Sequence, residues 1–197
     1  GAPVTIHAAT LTAELTNSGV TKEYDGTTAP VGFTPEWSYV GLVSGDTVTL
    51  GNTGVTYDDQ DVGQASKVTV SGLTLTGVTG SHDSAASDYE LSVGSAWTTA
   101  SITAKTVSLS ATKTYDGTKD LSGDVTIATG VTGETLGYTG ATASDGHVVT
   151  ADKYISGITL QDNGGVLASN YALPTLNKDG APVTIHAATL TAELTNS

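Results

Sequence analysis

Apolar and polar residues alternate in short runs along the whole chain, and turn residues separate the runs. In the first half the pattern predicts strands near 9–16, 36–43, 46–50, 66–76, 87–93 and 98–104, with a further short strand after the turn at Tyr24-Asp25-Gly26. No window of a dozen residues keeps an apolar stripe at the helical spacing. Thr and Val favour strands, and Gly, Asn and Asp mark the turns. One run carries a complication. Val68 and Val70 share a parity, whereas Leu73 and Leu75 have the opposite one. A one-residue slip turns every side chain to the other face, so a bulge or bend at Ser71-Gly72 is needed to keep all four inward. The second half repeats the device at Ser156-Gly157.

Self-similarity fixes the organisation. Gly1–Ser18 and Gly180–Ser197 are identical, letter for letter, so the sequence repeats with a period of 179 residues. A weaker repeat lies inside that period. Thr21-Lys22-Glu23-Tyr24-Asp25-Gly26-Thr27 matches Thr112-Lys113-Thr114-Tyr115-Asp116-Gly117-Thr118. Val43–Thr47 matches Val131–Thr135, Val70–Leu75 matches Ile155–Leu160, and Ser87–Leu91 matches Ser169–Leu173. Ile102–Val107 matches Ile185–Leu190, and all of these pairs occur in the same order.

The pattern predicts an all-β chain of two tandem Ig-like β-sandwich modules forming an elongated rod, with β-grasp-like modules as the alternative. The modules span 9–104 and 105–187. Residues 1–8 are expected to be the closing strand of a missing preceding module, and 188–197 the opening strand of a missing next one. No Gly/Pro-rich linker separates Ile102 from Thr106-Val107-Ser108-Leu109, so neighbours are expected to be stiffly joined.

Charge narrows the function classes. All seven basic residues are lysines, against 20 acidic ones, for a net charge of -13. Nucleic-acid binding needs a basic stripe to neutralise phosphates, and an anionic membrane repels an acidic surface. No apolar run reaches the length of a membrane-spanning helix. The expectation is therefore no nucleic acid and no membrane insertion. With no cysteine, disulfides and thiolate chemistry are excluded.

The combination Lys-x-Tyr-Asp-Gly-Thr, Gly-Asp-Thr-Val, Ser-Gly-Leu-x-Leu and Asn-Tyr-x-Leu resembles the YDG-type repeat domain of large secreted bacterial adhesins and filamentous-haemagglutinin-like exoproteins. Tyr24, Asp25, Gly26 and Tyr115, Asp116, Gly117 carry the resemblance most clearly. The second module departs from it, with Gly133-Glu134-Thr135-Leu136 in place of Gly-Asp-Thr-Val. The resemblance implies a secreted, cell-surface location and a stalk or spacer role in adhesion or biofilm attachment. Its partners would be neighbouring repeats of the same chain. The alternative is repeats that themselves bind glycan or extracellular polysaccharide. The absence of cysteine agrees with secretion in an unfolded state, which a disulfide would jam.

Candidate sites each have a structural reading beside them. Tyr24-Asp25-Gly26 and Tyr115-Asp116-Gly117 read as tight turns whose tyrosine rings are buried. Tyr89 and Tyr171 occupy the place of a tyrosine corner, with the hydroxyl bonded to backbone upstream. No cofactor is expected beyond weak Ca2+. Asp58, Asp59 and Asp61 crowd one loop and would be its ligands, although they lack the order of an EF-hand; a solvated acidic turn is the plainer account. Trp37 and Tyr39 share a strand face and are the candidate glycan contacts, with core packing as the competing role. Ser81-His82-Asp83-Ser84 contains the residue types of a hydrolytic triad, but the second module lacks it and no enzyme is expected. A spontaneous isopeptide bond would pair Lys22 with Asp88 or Lys113 with Asn170 on the repeat alignment.

Overall fold

The computed structural model describes residues 1–194, and these fall into two compact units, Gly1–Thr103 and the chain from Ala104 onward. No α-helix occurs among the described residues; each unit is β-strand with one 3-10 turn, at Ala86–Asp88 and Ala168–Asn170.

Unit 1 contains β1 (Ala9–Leu15), β2 (Val20–Glu23), β3 (Trp37–Val40), β4 (Asp46–Gly51), β5 (Gly54–Tyr57), β6 (Lys67–Ser71), β7 (Thr74–Gly80), β8 (Tyr89–Leu91) and β9 (Ser95–Thr103). They form three sheets, ordered β3-β1-β8, β2-β9-β6-β5 and β4-β7. Alternation along β1 and β6 sends Leu11, Ala13, Val68 and Val70 inward, where they meet Leu73 and Ile102 in the core. Unit 2 contains β10 (Lys105–Thr106), β11 (Ser108–Thr114), β12 (Val125–Ala128), β13 (Gly137–Ala143), β14 (Ile155–Gln161), β15 (Tyr171–Ala172) and β16 (Val183–His186). Its sheets are β10-β15, β12-β11-β16 and β13-β14. Its core holds Val107, Leu109, Leu121, Ile155, Val183 and Ile185.

The same parallel pairing recurs in both units. An early strand lies beside the last one, with Lys22 opposite Ile102 in unit 1 and Lys113 opposite Ile185 in unit 2. A second parallel pair sets Ala9 opposite Tyr89, and Lys105 opposite Tyr171. Parallel neighbours need a long connection, and here nearly the whole unit supplies it.

Two local expectations change. The short strand precedes the Tyr-Asp-Gly turn as β2, and residues 27–36 hold no strand. Loop polar groups are satisfied instead by Asn17, which donates to the Thr34 carbonyl at 3.0 Å and accepts from the Glu36 amide at 2.8 Å. At Ser71-Gly72 the bend alternative holds, not the bulge, and the bend carries the chain into another sheet; it is the second module's version of the device that differs. Gly72 has φ +63°, and the chain leaves β6 in one sheet to enter β7 in another. A Cβ there would lie 2.0 Å from the Thr53 hydroxyl oxygen, so only glycine fits. In unit 2, Ser156-Gly157 lies inside the unbroken β14, and the irregularity falls on its partner β13, between Thr139 and Ala143. Both Ile155 and Ile158 thereby stay buried despite opposite parity.

The 18 duplicated residues occupy different settings. In the first copy Ala9–Leu15 forms β1, while Val4 and Ile6 are exposed. In the second copy Val183–His186 forms β16, while Leu190 and Leu194 are exposed. Thr195, Asn196 and Ser197 lie outside the described residues.

Candidate functional site

A dense polar cluster in each unit is built on a lysine. Alternation along β2 turns Lys22 inward, and its side chain is only 5% exposed. Its ammonium donates to Asp25 Oδ1 at 2.6 Å, to the Thr27 carbonyl at 2.6 Å and to the Ala29 carbonyl at 3.0 Å. Three N–H bonds therefore meet three convergent oxygens, which is the condition for keeping a charge in a low-dielectric setting. The Tyr57 ring lies below, 5.5 Å from the nitrogen. Gly26, at φ +76°, lets the chain turn back so that the Thr27 amide and hydroxyl both donate to Asp25 Oδ1 at 2.9 Å. The Lys, Asp, Gly and Thr of Lys-x-Tyr-Asp-Gly-Thr thus each have a task.

Unit 2 rebuilds this hub. Lys113 donates to Asp116 at 2.9 Å and to the Asp120 carbonyl at 2.7 Å. Thr118 donates its amide and hydroxyl to Asp116 Oδ1 at 2.9 Å, and Gly117 has φ +83°. The electrostatics follow. The Lys113 hydrogen bond, then the Thr118 amide and hydroxyl, hold the Asp116 carboxyl at about 2. Burial pushes Asp25 upward, but Lys22 and Thr27 together outweigh it and leave that carboxyl below its usual value.

A second polar device recurs. Tyr89 donates to Asp46 Oδ2 at 2.6 Å and accepts from the Val43 amide at 3.1 Å, so its hydroxyl does bond upstream backbone. Tyr171 donates to Glu134 in the same way. Gly133-Glu134-Thr135-Leu136 is therefore a change of letters that keeps the carboxylate partner. The Tyr89 bond, followed by Ser84, holds Asp46 below its ordinary value. Burial, followed by the Asp46 bond, pushes the Tyr89 phenol up.

Other candidates change. Tyr24, Tyr89 and Tyr171 are buried, but Tyr115 is 39% exposed and stacks on His147, with ring centroids 6.3 Å apart. The turn itself does not bury the ring. Asp58, Asp59 and Asp61 do not converge as metal ligands. Asp58 accepts from the Ser66 hydroxyl at 2.6 Å and from the Ser66 and Lys67 amides, and these bonds hold it at about 2. Asp59 accepts from the Asp61 amide at 2.8 Å. The three residues staple a turn, and among the described residues no group of three or more histidine or carboxylate side chains is placed to hold a metal.

Trp37 and Tyr39 are half-buried on β3, opposite Leu15 and Ala13. Directly opposed residues share a face, and Ala13 faces the core, so both rings lie on the core side. Trp97, by contrast, is 61% exposed on the outer face of β9. His82 Nδ1 lies 3.4 Å from both Ser81 Oγ and Asp46 Oδ1. A triad uses the two ring nitrogens separately, so this arrangement is not one. Lys22 sits on Asp25 rather than Asp88, whose carboxylate instead accepts from the Ala85 amide. Lys113 spends its ammonium on Asp116 and its loop.

Sequence reasoning missed the lysines as hub residues. The available signal was a lysine kept at the same motif position in both modules of a chain with only seven. It also missed Asp46 and Glu134 as tyrosine partners, although their alignment was visible.

No curated protein and no solved structure matches the chain. One family model does match: residues 7–95, which span β1 to β8 of unit 1 with both its lysine hub and its tyrosine clasp, are a YDG domain.

Proposed function

We propose that the chain is a section of a structural repeat array, serving as stalk or spacer in a secreted bacterial surface adhesin and holding an adhesive region away from the cell. Each unit is read as an Ig-like sandwich module without enzymatic activity. Support for the module type comes from the helix-free, multi-sheet units and from a buried tyrosine that bonds backbone upstream of it. The observation that carries the function is the duplicated segment. One half supplies the last strand of unit 2 and the other half supplies the first strand of unit 1, with a single residue between them. A sequence that closes one module while opening the next is the signature of a linear array. Small-angle scattering on chains of one, two and three 179-residue periods tests this. A rod nearly doubles its radius of gyration when its length doubles, whereas a compact globule grows by a factor of about 1.3. The smaller growth would overturn the reading.

A second reading, glycan binding by the repeats themselves, is favoured by one feature. Trp97 exposes its ring beside a groove lined by Thr12, Glu14, Val93 and Ser95. If sugars bind there, polysaccharide pull-down is lost in Trp97→Ala and kept in Trp37→Phe. Retention of both variants would remove that reading.

A further inference from the structure

We propose that the surface of unit 2 around Tyr115 and His147 is the docking face for a following copy of unit 1, an inference that rests on the repeat-array reading above. The starting observation is a mismatch between equivalent residues. Tyr24 and Tyr115 occupy the same turn, bonded through their amides to Thr103 and His186 at 2.8 Å each. Their lysine hubs are the same, yet Tyr24 is 2% exposed and Tyr115 is 39% exposed.

The exposed ring does not stand alone. His147 stacks on it, and Val148 and Val149 follow, 39% and 93% exposed. The loop that presents them is held in place. The buried Lys153 donates to the Val148 and Thr150 carbonyls, and Asp145 accepts from the His147 amide at 2.7 Å. A fixed loop displaying an aromatic pair and two valines is a surface prepared for burial.

The sequence identifies the occupant. After His186 comes Ala187, and then Ala188–Leu194, identical to Ala9–Leu15 of β1. Extended chain covers at most about 3.6 Å per residue, so the first strand of such a unit starts within roughly 7 Å of the carbonyl that anchors Tyr115. The matching face is visible on unit 1. Its groove of Ile6, His7, Ala8, Ala9, Ser87 and Asp88 contains the same Ile-His-Ala-Ala segment that runs past Tyr115 in unit 2. In a continuing array that one segment would run past both the Tyr115 turn of unit 2 and the Ser87-Asp88 surface of the following unit.

The test compares the 197-residue chain with one extended by a further period, whose own copy of Tyr115 is changed to Phe so that one reporter remains. Tetranitromethane nitration of Tyr115 is followed by peptide mass spectrometry, with calorimetry alongside. Docking predicts nitration about ten-fold slower in the extended chain, as a half-exposed ring becomes buried like Tyr24. It also predicts that Tyr115→Ser lowers the melting temperature of the extended chain more than that of the 197-residue chain. If the added period melts cooperatively but Tyr115 reacts at the same rate in both chains, docking is refuted and the array reading stands. If the added period shows no cooperative melting, the array reading fails and docking fails with it.

Discussion

Replacing Lys22 by Met asks what the lysine hub contributes to folding. The substitution keeps an unbranched side chain of similar length and deletes the charge. Three hydrogen bonds disappear, and the Thr27 and Ala29 carbonyls lose the donor that holds them in the turn. A fully buried carbonyl without a partner costs about 1–3 kcal/mol, but Thr27 and Ala29 are exposed residues, so water recovers part of that cost. Stranding the partner of a buried ion pair costs about 3–5 kcal/mol, but Asp25 is 36% exposed and water recovers part of that. Met also avoids the desolvation that lysine suffers. The expected net loss is about 1–3 kcal/mol, or roughly 5–20 °C in melting temperature for a unit of this size.

Urea unfolding followed by tryptophan fluorescence reads unit 1, because Trp37 and Trp97 both lie there. Lys22→Arg is the informative companion. A planar guanidinium cannot aim three N–H groups at three oxygens gathered around one tetrahedral nitrogen, so it rescues only part of the loss. A double-mutant cycle with Asp25→Asn should show coupling between the two sites. A Lys22→Met loss below about 0.5 kcal/mol would show that water replaces the ammonium freely, and the hub would then be a surface feature.

Further outcomes follow from the same geometry. Asp58 and Asp116, held at about 2 when folded against 3.8 ordinarily, bind fewer protons in the folded state. Their stabilisation is present above the unfolded value and is lost as pH falls from about 4 toward 2, so the melting temperature should drop across that window, less steeply in Asp58→Asn. Tyr89→Phe removes the Asp46 clasp, and Asp46 should then titrate closer to its ordinary value by carbon-13 NMR; no movement would dismiss the clasp as its cause. Gly72→Ala should destabilise unit 1 by about 1–3 kcal/mol in urea, through strain at positive φ and the clash with Thr53. Intact mass should equal the sequence mass, since the lysine–aspartate pairs are ionic; a loss of water would contradict this.

The strands were legible because alternation reports a half-buried sheet directly: β1, β4 and β8 fall within a residue or two of the runs that predict them, while the run at 66–76 is divided between β6 and β7. The 179-residue period was legible because it is written in identical letters. What escaped was set by contacts distant in sequence. Nothing near Trp37 tells that its strand pairs with β1 on the core side, and nothing near Tyr115 tells that its ring stays outside while that of Tyr24 goes in. The acidic loop left two readings open, a solvated turn and a weak ligand set, for a related reason. Carboxylate density counts possible ligands, whereas the bonds from Ser66 and Lys67 had already claimed Asp58 for the turn.

The two units also show where a module of this kind tolerates change. The position of Trp97 in unit 1 is taken by Gly180 in unit 2 on the repeat alignment, and the acidic loop of unit 1 has no counterpart there. The polar anchors persist, as lysine with aspartate three residues on and as tyrosine with a carboxylate, even where that carboxylate changes from Asp46 to Glu134. An apolar side chain in a small core can be exchanged for another if volume is kept. A buried ammonium has no such substitute, because its three donors require three acceptors at fixed positions. In a unit this small, with sheets of only two to four strands, the anchors fix where a long loop returns to the core. Exchanging Thr27–Glu36 for Thr118–Ser122, so that the unit 2 loop follows the Lys22 hub, should therefore leave unit 1 folded. The same exchange in a Lys22→Met chain should not refold, and refolding there would show that the loop finds its place without the anchor.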